Sequence, residues 1–369
     1  MPESTEDRGL DTCTTCPTLC RWSCPVAETE ARETTSPQRL VVLASLLKQE
    51  KVTAETVGVT PYHCAHCYAC VDACLHHNDV PLLLSLARSR VYKAGAAPAG
   101  IREVTAHFAV AGNSQGAPLD AALKEAAQEA GTAVQHEGET VYFPGCSTLE
   151  NSPEVVTDFL RAVALQGAPV PALTTVSASC CGLPLLWAGD LDGFTLHARR
   201  LAERLKGTRR LIVEDPTCAH AFLVRYPWLK VHLETEIQTS AAFLAEAAQK
   251  NEATTPAEAK KNGPAACAFH RSCGQLRGLH EVEAPMELLA RAAGTVAELP
   301  GEHDCCGAAG LLPTAAPMTA RAMAEARLEA FRRTGATTLV TSSPRCLAHL
   351  RSVDPSASVE ALTSVVAKS

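Results

Sequence analysis

The sequence predicts an α+β protein in which an all-helical N-terminal module precedes two copies of one α/β half-domain. Two observations carry this expectation. Two four-cysteine runs stand among helical patterns before residue 75, Cys13-Thr-Thr-Cys16-Pro-Thr-Leu-Cys20-Arg-Trp-Ser-Cys24 and Cys64-Ala-His-Cys67-Tyr-Ala-Cys70-Val-Asp-Ala-Cys74. Further along, cysteine-centred segments recur. Val141-Tyr-Phe-Pro-Gly-Cys146 returns as Ala268-Phe-His-Arg-Ser-Cys273, Cys180-Cys181-Gly182 as Cys305-Cys306-Gly307, and the stretch ending at Cys218 as the one ending at Cys346, at offsets of 127, 125 and 128 residues.

Composition narrows what such a chain can do. With 369 residues and 46% hydrophobic content it is long enough for two or three domains with ordinary cores. A net charge of −7 and the lack of a long basic run exclude the electrostatic footprint of a nucleic-acid binder. The apolar stretches Gly182 to Gly189 and Val41 to Leu47 are too short to span a bilayer, so no transmembrane segment is expected and membrane association would go through another subunit. Seventeen cysteines without a secretory signal point to a reducing, cytoplasmic setting in which thiols hold metal. Aromatic residues, at 4%, offer no stacking platform.

Taken in order, residues 1–12 read as a polar, disordered leader. Thiolates spaced two, two and three residues apart can close around one iron-sulfur cube, because the short intervals let the backbone curl and aim successive sulfurs at the same cage. Two runs therefore imply two [4Fe-4S] clusters. In two-cluster ferredoxins the fourth cysteine of each run serves the other cluster; on that pattern Cys13, Cys16, Cys20 and Cys74 hold one, and Cys64, Cys67, Cys70 and Cys24 hold the other. The first run has three residues between Cys16 and Cys20, and Leu75 stands where proline is usual. Structural zinc normally uses separated cysteine pairs, and disulfide frameworks belong to short secreted chains; both are weaker readings. Leu40, Leu43, Leu46 and Leu47 lie at helical spacing over 38–49, with Ser36 as N-cap and Pro37 in the first turn, and a second apolar helix is expected over 80–92. Clusters set between helices resemble the all-helical ferredoxin module, here assigned to residues 1–95.

Residues 96–139 form a connector with short helices near 101–110 and 118–130 and a Gly112-Asn-Ser-Gln-Gly116 turn. The first repeat then covers 140–250, a polar linker 251–265, and the second repeat 266–369. Each repeat reads strand, cysteine, helix, strand, double cysteine, helix, strand, cysteine, helix. Cys146, Cys181 and Cys218 fall beyond strands and near helix starts, where free N–H groups and the helix dipole favour thiolate. One metal or redox site per half is expected, from Cys146, Cys180, Cys181 and Cys218, and from Cys273, Cys305, Cys306 and Cys346. A vicinal disulfide at either double cysteine and ordinary buried thiols are the competing readings. Cys267 lacks a counterpart in the first repeat and reads as structural, and His270 stands out among the histidines for its place three residues before Cys273. Neither a P-loop nor a glycine-rich dinucleotide fingerprint occurs, so neither flavin nor nicotinamide is expected on this chain.

Two ferredoxin-type runs followed by two CCG-type repeats resemble the iron-sulfur subunits of glycolate oxidase, lactate utilisation systems, anaerobic glycerol-3-phosphate dehydrogenase and heterodisulfide reductase, from Cys13 to about Leu350. The resemblance implies an electron-transfer subunit that links a flavoprotein dehydrogenase, acting on a small hydroxy acid or polyol phosphate, to a quinone or membrane-anchored acceptor subunit. In heterodisulfide reductase each repeat ends in Cys-x-x-Cys. Here Asp215 and Ser343 replace the first of those cysteines, which leaves four-cysteine sites able to hold a cubane, a two-iron cluster, zinc or nothing. Asp215 before Pro216 is expected to cap the following turn. Two alternatives stay open: a catalyst that cleaves a disulfide at the CCG site, and an iron-sulfur sensor.

Overall fold

The computed structural model describes residues 3–251, 266–301 and 304–369, with side chains from Glu6 onward; the expected linker over 251–265 lies almost wholly outside the described residues. The chain divides into two units. One comprises Met1–Ala117, Gly182–Ala198 and His303–Ala324, the other Pro118–Cys181, Arg199–Glu302 and Glu325–Ser369.

The first unit is helical. Its central helix, Pro37–Lys48, begins at Ser36 with proline in the first turn, as the sequence predicts, and buries Leu40, Val41, Ala44 and Leu47 on one face. Helix Val80–Lys93 is capped by the Asp79 carboxylate, which accepts from the Leu82 N–H at 3.1 Å. Their apolar faces share a core that includes Leu10, Cys13 and Cys70. The expected disordered leader is instead a helix, Glu3–Thr14. Leu10 and Cys13 are buried in that core and Glu6 pairs with Arg90 at 2.7 Å, so tertiary contacts order a segment whose composition alone reads as polar. The Asn113 turn appears as expected, its side-chain oxygen accepting from the N–H groups of Gln115 and Gly116 at 3.0 and 3.1 Å.

The second unit holds two parallel sheets. Strands β1 (Thr140–Phe143), β2 (Arg210–Val213) and β3 (Glu236–Thr239) pair in that order, with Val141 opposite Leu211 and Leu211 opposite Ile237. Strands β4 (Cys267–His270), β5 (Val296–Ala297), β6 (Thr338–Thr341) and β7 (Val359–Ala361) form the second sheet in the order β5-β4-β6-β7. The triplets β1-β2-β3 and β4-β6-β7 correspond, as the internal repeat requires. Continuous buried runs such as Leu211-Ile212-Val213 are what a parallel sheet covered on both faces demands.

Two elements depart from the expected half-domain order. The strand foreseen before each double cysteine is reduced to isolated bridges, Gln135 to Thr174 and Val141 to Ala172, in the first repeat and to two-residue β5 in the second. Strands β3 and β7, beyond the last cysteine of each repeat, complete the sheets instead. The first half meets the second through Glu214, whose buried carboxylate accepts from Tyr142 Oη at 2.9 Å and Thr363 Oγ1 at 2.6 Å.

Candidate metal centres

In the helical unit the backbone between cysteines is bent into conformations that side chains seldom adopt. Thr18, between Cys16 and Cys20, has φ 68°, and His66 and Tyr68, flanking Cys67, have φ 49° and 62°. Left-handed backbone at a non-glycine residue costs about 1–2 kcal/mol, so its concentration in the cysteine loops marks a functional constraint.

The thiols fall into two neighbourhoods. Burial pushes Cys13 up to about 11, reinforced by the neighbouring sulfurs of Cys20, Cys74 and Cys16 and opposed by Asn78, whose Nδ2 donates to Cys13 Sγ at 3.0 Å. Burial likewise raises Cys24 to about 12, with Cys67 and Cys64 as its sulfur neighbours, and Cys64 to about 11. Cys70 is pushed well up by burial and then by Cys64, Cys67, Cys24 and Cys20. Cys24, Cys64, Cys67 and Cys70 also border one small cavity of about 20 Å³. Crowded thiols taken out of water resist ionising together, and a multiply charged metal group is the chemistry that makes such a set favourable. The donor set fits iron-sulfur ligation.

A buried cation, which the sequence pattern did not reveal, sits against the second run. Arg88 is wholly buried, donates from Nη2 to the Cys64 carbonyl at 3.1 Å, and donates to the carbonyls of Pro61, Trp187 and Gly310, each at 3.0 Å. Its guanidinium also lies 4.9 Å from the Tyr62 ring centre. In a helix reading LLLSLARSRVY the pattern suggests a solvated arginine; only the packed structure shows four carbonyls converging on it. Among the histidines of this unit, His63 Nδ1 lies 2.7 Å from Glu30 Oε1, and the His66 ring stands 5.9 Å from that of Trp187.

In the sheet unit the first repeat gathers its four thiols. Cys146 Sγ lies 3.3 Å from Cys180 Sγ, and Cys181 bonds with both Cys180 and Cys218. Cys146 opens helix Cys146–Asn151 and Cys218 lies in helix Pro216–His220, the helix-start positions expected. The expected thiolate preference does not hold for Cys218, whose thiol, like that of Cys180, is pushed well up by hydrogen bonding to neighbouring thiols and by burial. Arg345, from the second repeat, supplies opposing charge. Its Nε stands 3.7 Å from Asp215 Oδ2, and although burial works against its charge, Asp215 and the thiols of Cys146, Cys218 and Cys181 hold the guanidinium protonated. Asp215 caps its helix, Oδ1 accepting from the Thr217 N–H at 2.9 Å.

The second repeat is arranged differently. Cys273 is half-buried, with its sulfur 3.6 Å from Arg277 Nη1. Cys346 is buried, and a ring nitrogen of His270 lies within 4.8 Å of its sulfur. Cys305 and Cys306 are buried at the start of the segment that belongs to the helical unit, where Cys305 Sγ accepts from the Gly307 N–H at 3.3 Å. Cys267, in β4, is buried.

Comparison with known proteins finds two kinds of domain. The 4Fe-4S dicluster domain matches residues 9–78, and the CCG cysteine-rich domain matches twice, over 140–222 and 267–351. The chain is 24% identical to one of the subunits of the CoM/CoB fumarate reductase of Methanothermobacter marburgensis, over 95% of this chain and 69% of that protein. It is also 24% identical to "Lactate utilization protein A 2" of Bacillus cereus and "Lactate utilization protein A 1" of Bacillus anthracis, in each case over 47% of this chain and 73% of the relative. Its cysteine runs thus lie inside a 4Fe-4S dicluster domain and its repeated thiols inside two CCG cysteine-rich domains, the makeup of an iron-sulfur oxidoreductase component.

Proposed function

We propose that this chain is the electron-transfer subunit of an oxidoreductase complex, placed between a flavoprotein dehydrogenase acting on a small hydroxy acid or polyol phosphate and a quinone or other acceptor. In this reading Cys13, Cys16, Cys20 and Cys74 hold one [4Fe-4S] cluster, and Cys64, Cys67, Cys70 and Cys24 hold a second. Cys146, Cys180, Cys181 and Cys218, with Cys273, Cys305, Cys306 and Cys346, provide one further cluster or zinc site per repeat. The clusters, when bound, supply one-electron storage at potentials set by charge, hydrogen bonding and burial. The protein's part is to exclude water from the sulfurs, to hold the loops in their bent form, and to bring a fixed positive charge to the second N-terminal thiol set through Arg88 and to the first repeat's thiols through Arg345.

The observation that carries this reading is the pairing of two thiol neighbourhoods within one helical unit, with Cys24 beside the second run and Cys74 beside the first. The named activities of the lactate-utilisation relatives favour a small hydroxy acid as the ultimate donor. Catalysis of disulfide cleavage on this chain is disfavoured, because Asp215 and Ser343 remove the fifth thiol of each repeat and are engaged with each other, Ser343 Oγ donating to Asp215 Oδ1 at 3.4 Å. A cytoplasmic protein that reaches a membrane only through a partner suits this role, and among the described residues no helix is long and apolar enough to cross a membrane.

The test is anaerobic reduction of the iron-loaded chain by photoreduced flavin mononucleotide, followed by reoxidation with menadione. Bleaching and recovery of the cluster absorbance support the relay. Dithiol oxidation by the isolated chain, without such bleaching, would contradict it.

A further inference from the structure

The two N-terminal thiol sets differ in what surrounds them. Every residue between Cys64 and Cys70 is buried or half-buried. The loops of the other set reach solvent at Thr14, Thr15, Pro17 and Leu19, and again at Leu75, directly after Cys74. Three exposed side chains here are large and apolar: Leu19, Trp22 and Leu75 are 53%, 84% and 83% exposed. The fold groups them. Leu19 and Trp22 stand three apart in the short helix Leu19–Ser23, whose tight winding turns both side chains to one side. That helix packs against Ala69–Asp72, and Cys74 is a sulfur neighbour of both Cys13 and Cys20, which sets Leu75 beside the same thiols. The tip is braced in advance: Ser23 Oγ donates to the Cys20 carbonyl at 3.0 Å, and the Arg21 guanidinium, paired with Glu33 at 2.8 Å, lies 5.7 Å from the Trp22 ring centre.

Charge and area select the occupant. Within two residues of Cys13, Cys16, Cys20 and Cys74 the acids Asp11 and Asp72 are exposed, while the one arginine, Arg21, is matched by Glu33. A patch that enters anionic lipid carries Lys and Arg beside its Trp and Leu, whereas this one carries acids. One tryptophan and two leucines offer a few hundred Å², short of the roughly 800 Å² per partner of a stable complex and in the range of a brief redox encounter. We propose that Leu19, Trp22 and Leu75 form the docking face for a one-electron carrier protein that frames its cofactor with basic residues and exchanges electrons with the cluster of Cys13, Cys16, Cys20 and Cys74. In each encounter one electron leaves the reduced cluster and reduces the carrier's oxidised centre, and no bond or proton is transferred. Electron tunnelling decays steeply with distance, so the thiol set whose loops reach the surface is the one a carrier can approach. The proposal rests on the reading that these thiols hold a cluster in an electron relay.

The test uses the iron-loaded full chain, reduced with dithionite and freed of the reductant. It is mixed in a stopped-flow cell with cytochrome c, a basic one-electron acceptor, or with plastocyanin, an acidic one, and menadione serves as the small acceptor. Cytochrome c is expected to oxidise the wild type faster than plastocyanin does, and about tenfold faster at low salt than at high salt. Trp22→Ser and Leu75→Ser are each expected to slow the cytochrome c reaction about tenfold, with iron content and menadione rate unchanged. A cytochrome c rate indifferent to both substitutions, or no faster than that of plastocyanin in the wild type, overturns the docking face and leaves the relay standing. Sedimentation of the wild type, but not of Trp22→Ser, with phosphatidylserine vesicles assigns the patch to a membrane and also overturns the proposal. A reduced wild type that cannot pass electrons to menadione removes the relay reading and this inference with it.

Discussion

The Arg88 guanidinium donates from Nη2 to the carbonyl of Cys64 at 3.1 Å, which fixes a wholly buried cation on the backbone of a cysteine loop. Three further carbonyls, from Pro61, Trp187 and Gly310, satisfy the same side chain. Replacement by methionine removes every donor while roughly keeping the volume, and each orphaned carbonyl then costs about 1–3 kcal/mol. Arg88→Met is expected to lose several kcal/mol of stability and much of its iron. Thermal unfolding and iron analysis would reveal this, and a variant with wild-type stability and iron content would refute it.

Gly310 tests the same neighbourhood by shape. It has φ 68°, and a Cβ there would meet the Cys64 carbonyl. Both backbone strain and steric conflict oppose Gly310→Ala, so a loss of about 1–3 kcal/mol is expected from strain alone. Gly112→Ala, at φ 70° with nothing within 4 Å of the added methyl, is the control for strain without collision. A milder effect at Gly112 than at Gly310 in urea unfolding is the predicted outcome.

The crossed ligand sets make a separate prediction. In the proposed assignment Cys74 belongs with the first run and Cys24 with the second. Cys74→Ala and Cys24→Ala should each lose about four irons and leave different clusters behind. The paramagnetic resonance spectrum of reduced Cys74→Ala should therefore match that of Cys13→Ala rather than Cys70→Ala. The opposite match would show that each run closes on its own cluster.

Glu214 supplies a pH dependence. Burial raises its carboxyl above the ordinary 4.5, against hydrogen bonds from Thr363, Ser240 and Tyr142. The native state therefore holds this proton more tightly than the unfolded chain. The contribution to stability is complete below 4.5 and is lost as pH rises through the folded value. Glu214→Gln does not titrate, so its urea midpoint should gain on the wild type as pH rises above 4.5. A difference that stays flat, or shrinks with rising pH, would contradict this.

Much of this arrangement was legible in the sequence because it is written in local spacing. Cysteine intervals, Pro37 and the leucines behind it, and the offsets between the repeats all act over short or repeated distances. What was not legible depends on burial by distant segments. Residues 3–14 carry a single large aliphatic residue, Leu10, so only the core around Leu40 and Leu83 explains their helix. Arg88 looks like a solvated residue until four remote carbonyls surround it. Glu236–Thr239 and Val359–Ala361 are short, with polar residues among them, and become strands only because β2 and β6 present open parallel edges. Arg345, one residue before a cysteine of the second repeat, acts on the thiols of the first, a crossing that spacing does not encode.

Anaerobic purification with parallel counts of iron and acid-labile sulfide tests the central claim most directly. Two N-terminal cubanes predict about eight of each per chain, with any further iron attributable to the CCG repeats. About four irons accompanied by two zincs, or a colourless chain that stays iron-free after reconstitution, would contradict it.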